Sequence, residues 1–183
     1  FLVPAVDSNQ RALLFAGLLA LNAGDNEDAR ALFQTTAARS PGETYIRNVG
    51  LARAIRDGDD PERQLEALKE TWQALGDPQV ANLAEAGELF DPPATRVSVG
   101  LMLARMLQAL DAHGDALQYL NALLRSGSDD PDVVRLHAEI LGKSGSKTEA
   151  LAGLERLLAT QEAAHHYAAA IETLQSMIRL APG

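Results

Sequence analysis

Apolar residues recur along this chain at spacings of three and four, and the stretches between them are filled with Gly, Asp, Asn, Ser and Pro. The spacing places the apolar positions on one face of an α-helix. The breaker clusters mark where helices stop and start. Residues 104–157 show the arrangement best. Ala104 and Ala138 stand 34 residues apart, as do Ala116 and Ala150. In each copy a small residue in one helix is followed twelve positions later by a small residue in a second helix. A large aliphatic residue, Leu120 or Leu154, comes four positions after that. A period near 34 built from two short helices marks hairpins that stack on one another.

The same reading extends to the rest of the chain and predicts an all-α protein of about ten helices. A first hairpin covers 10–42, with Ser8 or Asn9 capping one helix and Asn26 the next. Residues 43–93 hold an irregular hairpin and an extra helix, broken at Asp57-Gly58-Asp59-Asp60-Pro61 and at Asp91-Pro92-Pro93. Asp60 is expected to cap, with Pro61 in the first helical position. Further hairpins cover 94–128 and 131–160. A terminal or capping helix covers 162–181, with 163–180 as its helical part. Ala170 follows Ala150 by 20 residues rather than 34, so the last unit is expected to lack a first helix. The apolar residues Phe1, Leu2, Val3 and Val6 are expected to pack locally at the edge of the stack. The whole of 1–183 reads as one array of hairpins.

Small residues at fixed places have a physical purpose. Gly17, Ala104 and Ala138 let the two helices of a hairpin approach closely, and Ala29, Ala116 and Ala150 do so from the other helix. Phe33, Leu120 and Leu154 fill the space between hairpins. No hairpin buries its apolar face alone, so neighbours must stack. The pattern resembles the tetratricopeptide repeat. The first unit carries that motif as Leu13, Gly17, Ala20, Gly24, Ala29, Phe33, Thr36 and Pro41. A later unit carries Ala104, Leu107, Ala116, Leu120 and Leu123, with Asp111 in the place of the turn glycine. The next carries Val134, Ala138, Leu141, Gly145, Ala150, Leu154 and Leu157, and the closing segment has Ala170, Leu174, Met177 and Pro182. Residues 43–93 fit the motif poorly. The resemblance implies a right-handed superhelical solenoid of antiparallel hairpins.

It also implies a partner-binding groove lined by the first helix of each hairpin. Projected here, the groove positions are Arg11, Leu14, Leu18 and Leu21 in the first unit, then Ser98, Leu101, Arg105 and Gln108, then Asp132, Arg135 and Glu139. Such a groove would be apolar at its N-terminal end and of mixed charge at its C-terminal end. Burial of Leu14, Leu18 and Leu21 against 1–6 is the competing reading. The Lys and Asn that clamp a partner's C-terminal carboxylate in some family members are missing, since Leu14, Leu18, Leu101 and Arg105 occupy comparable places.

Composition narrows the function. The chain of 183 residues is 46% hydrophobic but only 4% aromatic, which suits helices packed through small side chains. Its formal charge of −9 disfavours nucleic acid and anionic membranes as partners. There is no run of 18 apolar residues, so no segment of it is expected to span a bilayer. Without cysteine there are no disulfides and no thiolate metal sites.

Candidate chemistry is thin. His137 and Glu139 do not form the HExxH zinc motif, and His165-His166 with Glu162 would make at most a surface metal site. His113 is expected in a solvated turn. The carboxylates at 57–60 and 129–132 lack the spacing of a calcium loop, and helix capping accounts for them. Trp72 is expected between helices. No catalytic, metal or cofactor residue is therefore assigned, and no enzyme activity is expected.

The expected role is a non-catalytic scaffold for a protein or peptide partner. An Ala-rich, Arg-over-Lys composition resembles bacterial repeat regions in envelope, secretion and cellulose or exopolysaccharide export assemblies, implying a periplasmic or, alternatively, cytoplasmic setting. Alternatives are a regulatory or substrate-presenting repeat domain of a larger enzyme, and direct contact with an exported polysaccharide. Sparse aromatics weigh against the last. The packing reading has a direct check: Ala116→Leu or Ala150→Leu should destabilise the fold by roughly 1–3 kcal/mol through overpacking. An unchanged thermal midpoint in either variant would refute the small-residue assignment.

Overall fold

The computed structural model describes residues 3–55 and 60–181. The expectations for Phe1, Leu2, Asp57 to Asp59 and Pro182 lie outside them. Among the described residues the chain is all-α, with ten helices and no strand. They are α1 Val3–Asn22, α2 Asn26–Thr35, α3 Pro41–Ala54, α4 Pro61–Ala74, α5 Pro78–Ala86, α6 Arg96–Ala109, α7 His113–Arg125, α8 Pro131–Lys143, α9 Lys147–Ala163 and α10 Tyr167–Leu180. The helices divide between two compact units, residues 1–99 and 100–183, with the boundary inside α6.

In the first unit α1 pairs with α2, α2 and α1 both meet α3, and α3 packs on α4 and α5. Phe33 of α2 is fully buried. It is seated where both neighbouring helices lack a side chain. A Cβ at Gly17 of α1 would lie 2.8 Å from the Phe33 ring, and one at Gly50 of α3 would overlap it outright. Tyr45 of α3 is buried, its ring edge-on to Phe90 at 5.9 Å and its hydroxyl donating to the Ala94 carbonyl. Buried Asn48 donates to Glu70 of α4 at 2.7 Å, and Arg47 donates to both Glu70 and Asn48. The Arg96 guanidinium lies 4.2 Å above the centre of the Trp72 ring.

In the second unit α7 pairs with α8, α8 with α9, and α10 lies against both α9 and α8. Ala138, Leu141, Ala150 and Leu154 form its core, with Leu117, Met177 and Leu180 packed around them. The small and large positions of the repeat pattern are all buried: Gly17, Ala29, Phe33, Ala104, Ala116, Leu120, Ala138, Ala150, Leu154 and Ala170.

One turn geometry recurs at four hairpins, and Gly127 with the Ser128 N–H bonded to the Leu123 carbonyl ends α7 in the same way. Gly24, Asp111, Gly145 and His165 all adopt the left-handed conformation, with φ of 80°, 56°, 89° and 58°. The next residue's N–H closes back on a carbonyl five positions earlier: Asp25 on Ala20, Ala112 on Leu107, Ser146 on Leu141 and His166 on Gln161, at 2.8–2.9 Å. This is the six-to-one bond that ends a helix and satisfies its orphan carbonyl. Five positions after the left-handed residue comes Ala29, Ala116, Ala150 or Ala170, and four later comes Phe33, Leu120, Leu154 or Leu174.

This geometry explains the 20-residue step at the C-terminus. The sequence reading made 163–180 one helix and left a first helix missing. In the structure α9 runs on to Ala163, turns through Ala164 to His166, and pairs with α10. A single helix, α9, is thus the second member of one hairpin and the first member of the next. The buried Thr173 hydroxyl donates to the buried Gln161 carboxamide oxygen at 2.8 Å across that added hairpin.

Three smaller expectations are corrected. α1 begins at Val3, so Ser8 and Asn9 lie inside the helix rather than at its start; Pro4 is tolerated because the first turn needs no intrahelical N–H bond. Asp25, not Asn26, caps α2, accepting from the Asp28 N–H at 3.2 Å. α5 stops at Ala86 rather than near Phe90, because Gly87 takes the left-handed conformation at φ 68°.

A side chain in the left-handed region costs about 1–2 kcal/mol, less for Asp than for His. Glycine relieves that cost at the expense of about 0.5–1 kcal/mol of chain entropy. His165→Gly should therefore raise stability, by up to about 1 kcal/mol, and Asp111→Gly should raise it less. Chemical denaturation of the two variants measures this, and a destabilised His165→Gly would contradict the turn assignment.

Candidate binding groove

The second unit carries an open groove of about 790 Å³. Arg105 and Gln108 of α6, Asp132, Arg135 and Glu139 of α8, and Ser176 and Arg179 of α10 form its sides. Half-buried Leu180 and the edge of Leu136 supply apolar surface, Leu154 lies buried beneath them, and Lys143 and Lys147 stand at the α8–α9 turn. Gly142 lets Leu180 seat against α8, since a Cβ there would overlap the leucine. The five positions projected from the sequence onto α6 and α8 that meet here are Arg105, Gln108, Asp132, Arg135 and Glu139.

Ion pairs order much of this surface. Arg135 bridges Asp132 at 2.7 Å and Glu172 at 3.0 Å. Glu139 accepts from Lys143 at 2.9 Å and from Gln108 at 2.9 Å. Its carboxyl is held below the usual range by the Lys143 hydrogen bond, against the opposing effect of burial and with help from Gln108 and from the charges of Lys143 and Arg179. Arg179 donates to the Ser176 hydroxyl at 3.0 Å.

The other projected positions do not line this groove. Leu14 is 4% exposed and belongs to the core, so the expected apolar N-terminal groove is not built from it. Leu18, Leu21 and Leu101 are half-buried. Arg11 is exposed and reaches Glu43 at 3.4 Å. Ser98 donates to the Pro93 carbonyl. Among the described side chains of α1, the large apolar ones that face outward are Phe15 and Leu19, at 63% and 71% exposed.

Sequence reasoning missed Lys143, Lys147, Ser176 and Arg179. It treated the last helix as the second member of a hairpin, which would keep it off the groove. The 20-residue step was the available signal. It also missed that Tyr167, Ile171, Leu174 and Ile178 form an exposed stripe along α10. Leu174 occupies the position at which Phe33, Leu120 and Leu154 are wholly buried, yet it is 42% exposed.

The histidines take structural places. His137 Nε2 lies 3.0 Å from Asn121 Oδ1, between α8 and α7. His165 stands in the turn with Nδ1 3.0 Å from the Tyr167 hydroxyl. No group of three or more His, Asp or Glu among the described residues is placed to hold a metal ion. A shallower recess of about 540 Å³ in the first unit lies between the α2–α3 connection and α4, beside the Arg47–Glu70 pair.

No protein-family model, curated protein or solved structure matches the chain.

Burial lowers the His137 pKa below its ordinary 6.5, with Glu149 opposing. The unfolded chain then takes up that proton first as the pH falls. Stability from the neutral imidazole is complete above about 6.5 and is lost as the pH drops through that value towards the folded pKa. Denaturation midpoints should fall from about pH 7.5 to about pH 5.5 more steeply in the parent than in His137→Gln. Identical slopes would show that His137 does not report burial.

Proposed function

We propose that this chain is a non-catalytic protein-interaction scaffold built from tetratricopeptide-like hairpins, and that the second unit's groove holds a segment of the partner. The observation that carries the reading is the convergence of three helices on one recess. α6, α8 and α10 each present polar side chains to it over an apolar floor. A concave site with a few placed polar groups and apolar patches is the ordinary form of a recognition surface.

A peptide suits this recess better than a sugar or a nucleic acid. The residues that line it include no Trp, Tyr or Phe, so the stacking surfaces those ligands use are not offered there. Leucine floors with charged rims suit an extended segment of alternating side chains.

Peptide display against the intact chain tests the proposal. Ser176→Trp fills the groove from α10 and serves as the counter-screen. Enriched peptides should bind the parent and lose about tenfold or more in affinity to Ser176→Trp. Failure to enrich any peptide, or enrichment of peptides indifferent to that substitution, would overturn it.

A further inference from the structure

The second unit's charges are sorted by place. Residues 100–183 contain seven Lys and Arg and ten Asp and Glu. Five of those seven cations line the groove, but only two of the ten acids do. The recess is therefore an electropositive strip on a unit, and a chain, that are acidic overall.

The two acids do not neutralise it. Asp132 is engaged by Arg135 and Glu139 by Lys143, both within α8. Arg105, Lys147 and Arg179 have no carboxylate within ion-pair distance among the described residues. Like charges held near one another without counter-charge repel, and an anionic ligand relieves that repulsion as it binds. The Glu139 carboxyl is lowered first by its Lys143 hydrogen bond, and the Arg179 charge adds a smaller push in the same direction.

We infer that the groove recognises an acidic segment of its partner, with aspartate or glutamate side chains set between aliphatic ones. This rests on the scaffold reading above and names the partner's chemistry. Carboxylates meet Arg105, Lys147 and Arg179, and the intervening aliphatic side chains settle on Leu180 and the edge of Leu136. Arginine offers a planar fork that matches a carboxylate. Long-range attraction to the strip would speed encounter and select against basic partners.

The test uses the intact chain and a short fluorescein-labelled peptide of alternating glutamate and leucine, read by anisotropy. Its glutamine counterpart, a uronic-acid oligosaccharide and a single-stranded DNA oligonucleotide are run beside it. The glutamate peptide should bind at least about tenfold more tightly than the glutamine one and weaken as salt is raised. Arg105→Glu, Lys147→Glu and Arg179→Glu should each weaken it several-fold or more. Arg156→Glu, a charge reversal on α9 outside the groove, should leave it within about twofold. Circular dichroism confirms equal helicity, and Arg179→Gln, which adds no charge, should give an intermediate loss.

Equal binding of the two peptides, or none of either, would overturn the inference. So would tighter binding of the uronate or the DNA, which would assign the strip to another polyanion. Display-selected peptides that depend on the groove but carry no acidic residues would leave the scaffold reading standing and remove this one.

Discussion

The chain depends on a backbone constraint at its hairpin turns. A single left-handed residue, followed by an N–H that closes on a carbonyl five positions back, ends one helix and aims the next. At four hairpins the register after it is the same. The alanine five positions on faces its neighbouring helix, and the side chain nine positions on points to where another helix can lie. Ala29, Ala116, Ala150 and Ala170 are buried as a result. At these four turns the conformation is taken by two glycines, an aspartate and a histidine, so the geometry belongs to the turn rather than to one residue type.

This makes clear which parts of the fold were legible in the sequence. The 34-residue step carried the pairings of α7 with α8 and of α8 with α9, because it repeats both the small residues and the turn. The same step misled at the C-terminus. His165 in a left-handed turn looks nothing like Gly145, and a β-carbon there is disfavoured enough that no pattern reader expects it. Buried Gln161 and Thr173 added to the difficulty, because a polar pair facing inward interrupts the apolar period on which helix boundaries are read. Leu14 shows the opposite failure: position along a helix was legible, but which face of α1 meets α2 and α3 was not.

The candidate groove was legible only in part, for a related reason. Arg105, Gln108, Asp132, Arg135 and Glu139 follow from knowing which helices are first in their hairpins. Arg179 and Lys147 needed the place of α10, which depends on the doubled role of α9. Charges also pair differently in the two units. In the first, the partly buried Arg47 is held by Glu70 and Asn48, and the cation serves the packing of α3 on α4. In the second, Asp132 and Glu139 are tied to Arg135 and Lys143 on their own helix and Glu172 of α10 also reaches Arg135, leaving other cations at the recess uncompensated.

The sharing of α9 between two hairpins also bears on how the second unit comes apart. Arrays of separate hairpins unravel stepwise, because each repeat touches only its neighbours through a face of its own. Here α9 contributes Ala150 and Leu154 to the core with α8, and Gln161 to the contact with α10, while α10 also reaches α8. Three helices are closed into a ring of mutual contacts. Such a ring opens as one cooperative element, so amide protection across α8 to α10 rises and falls together rather than fading towards the end of the array.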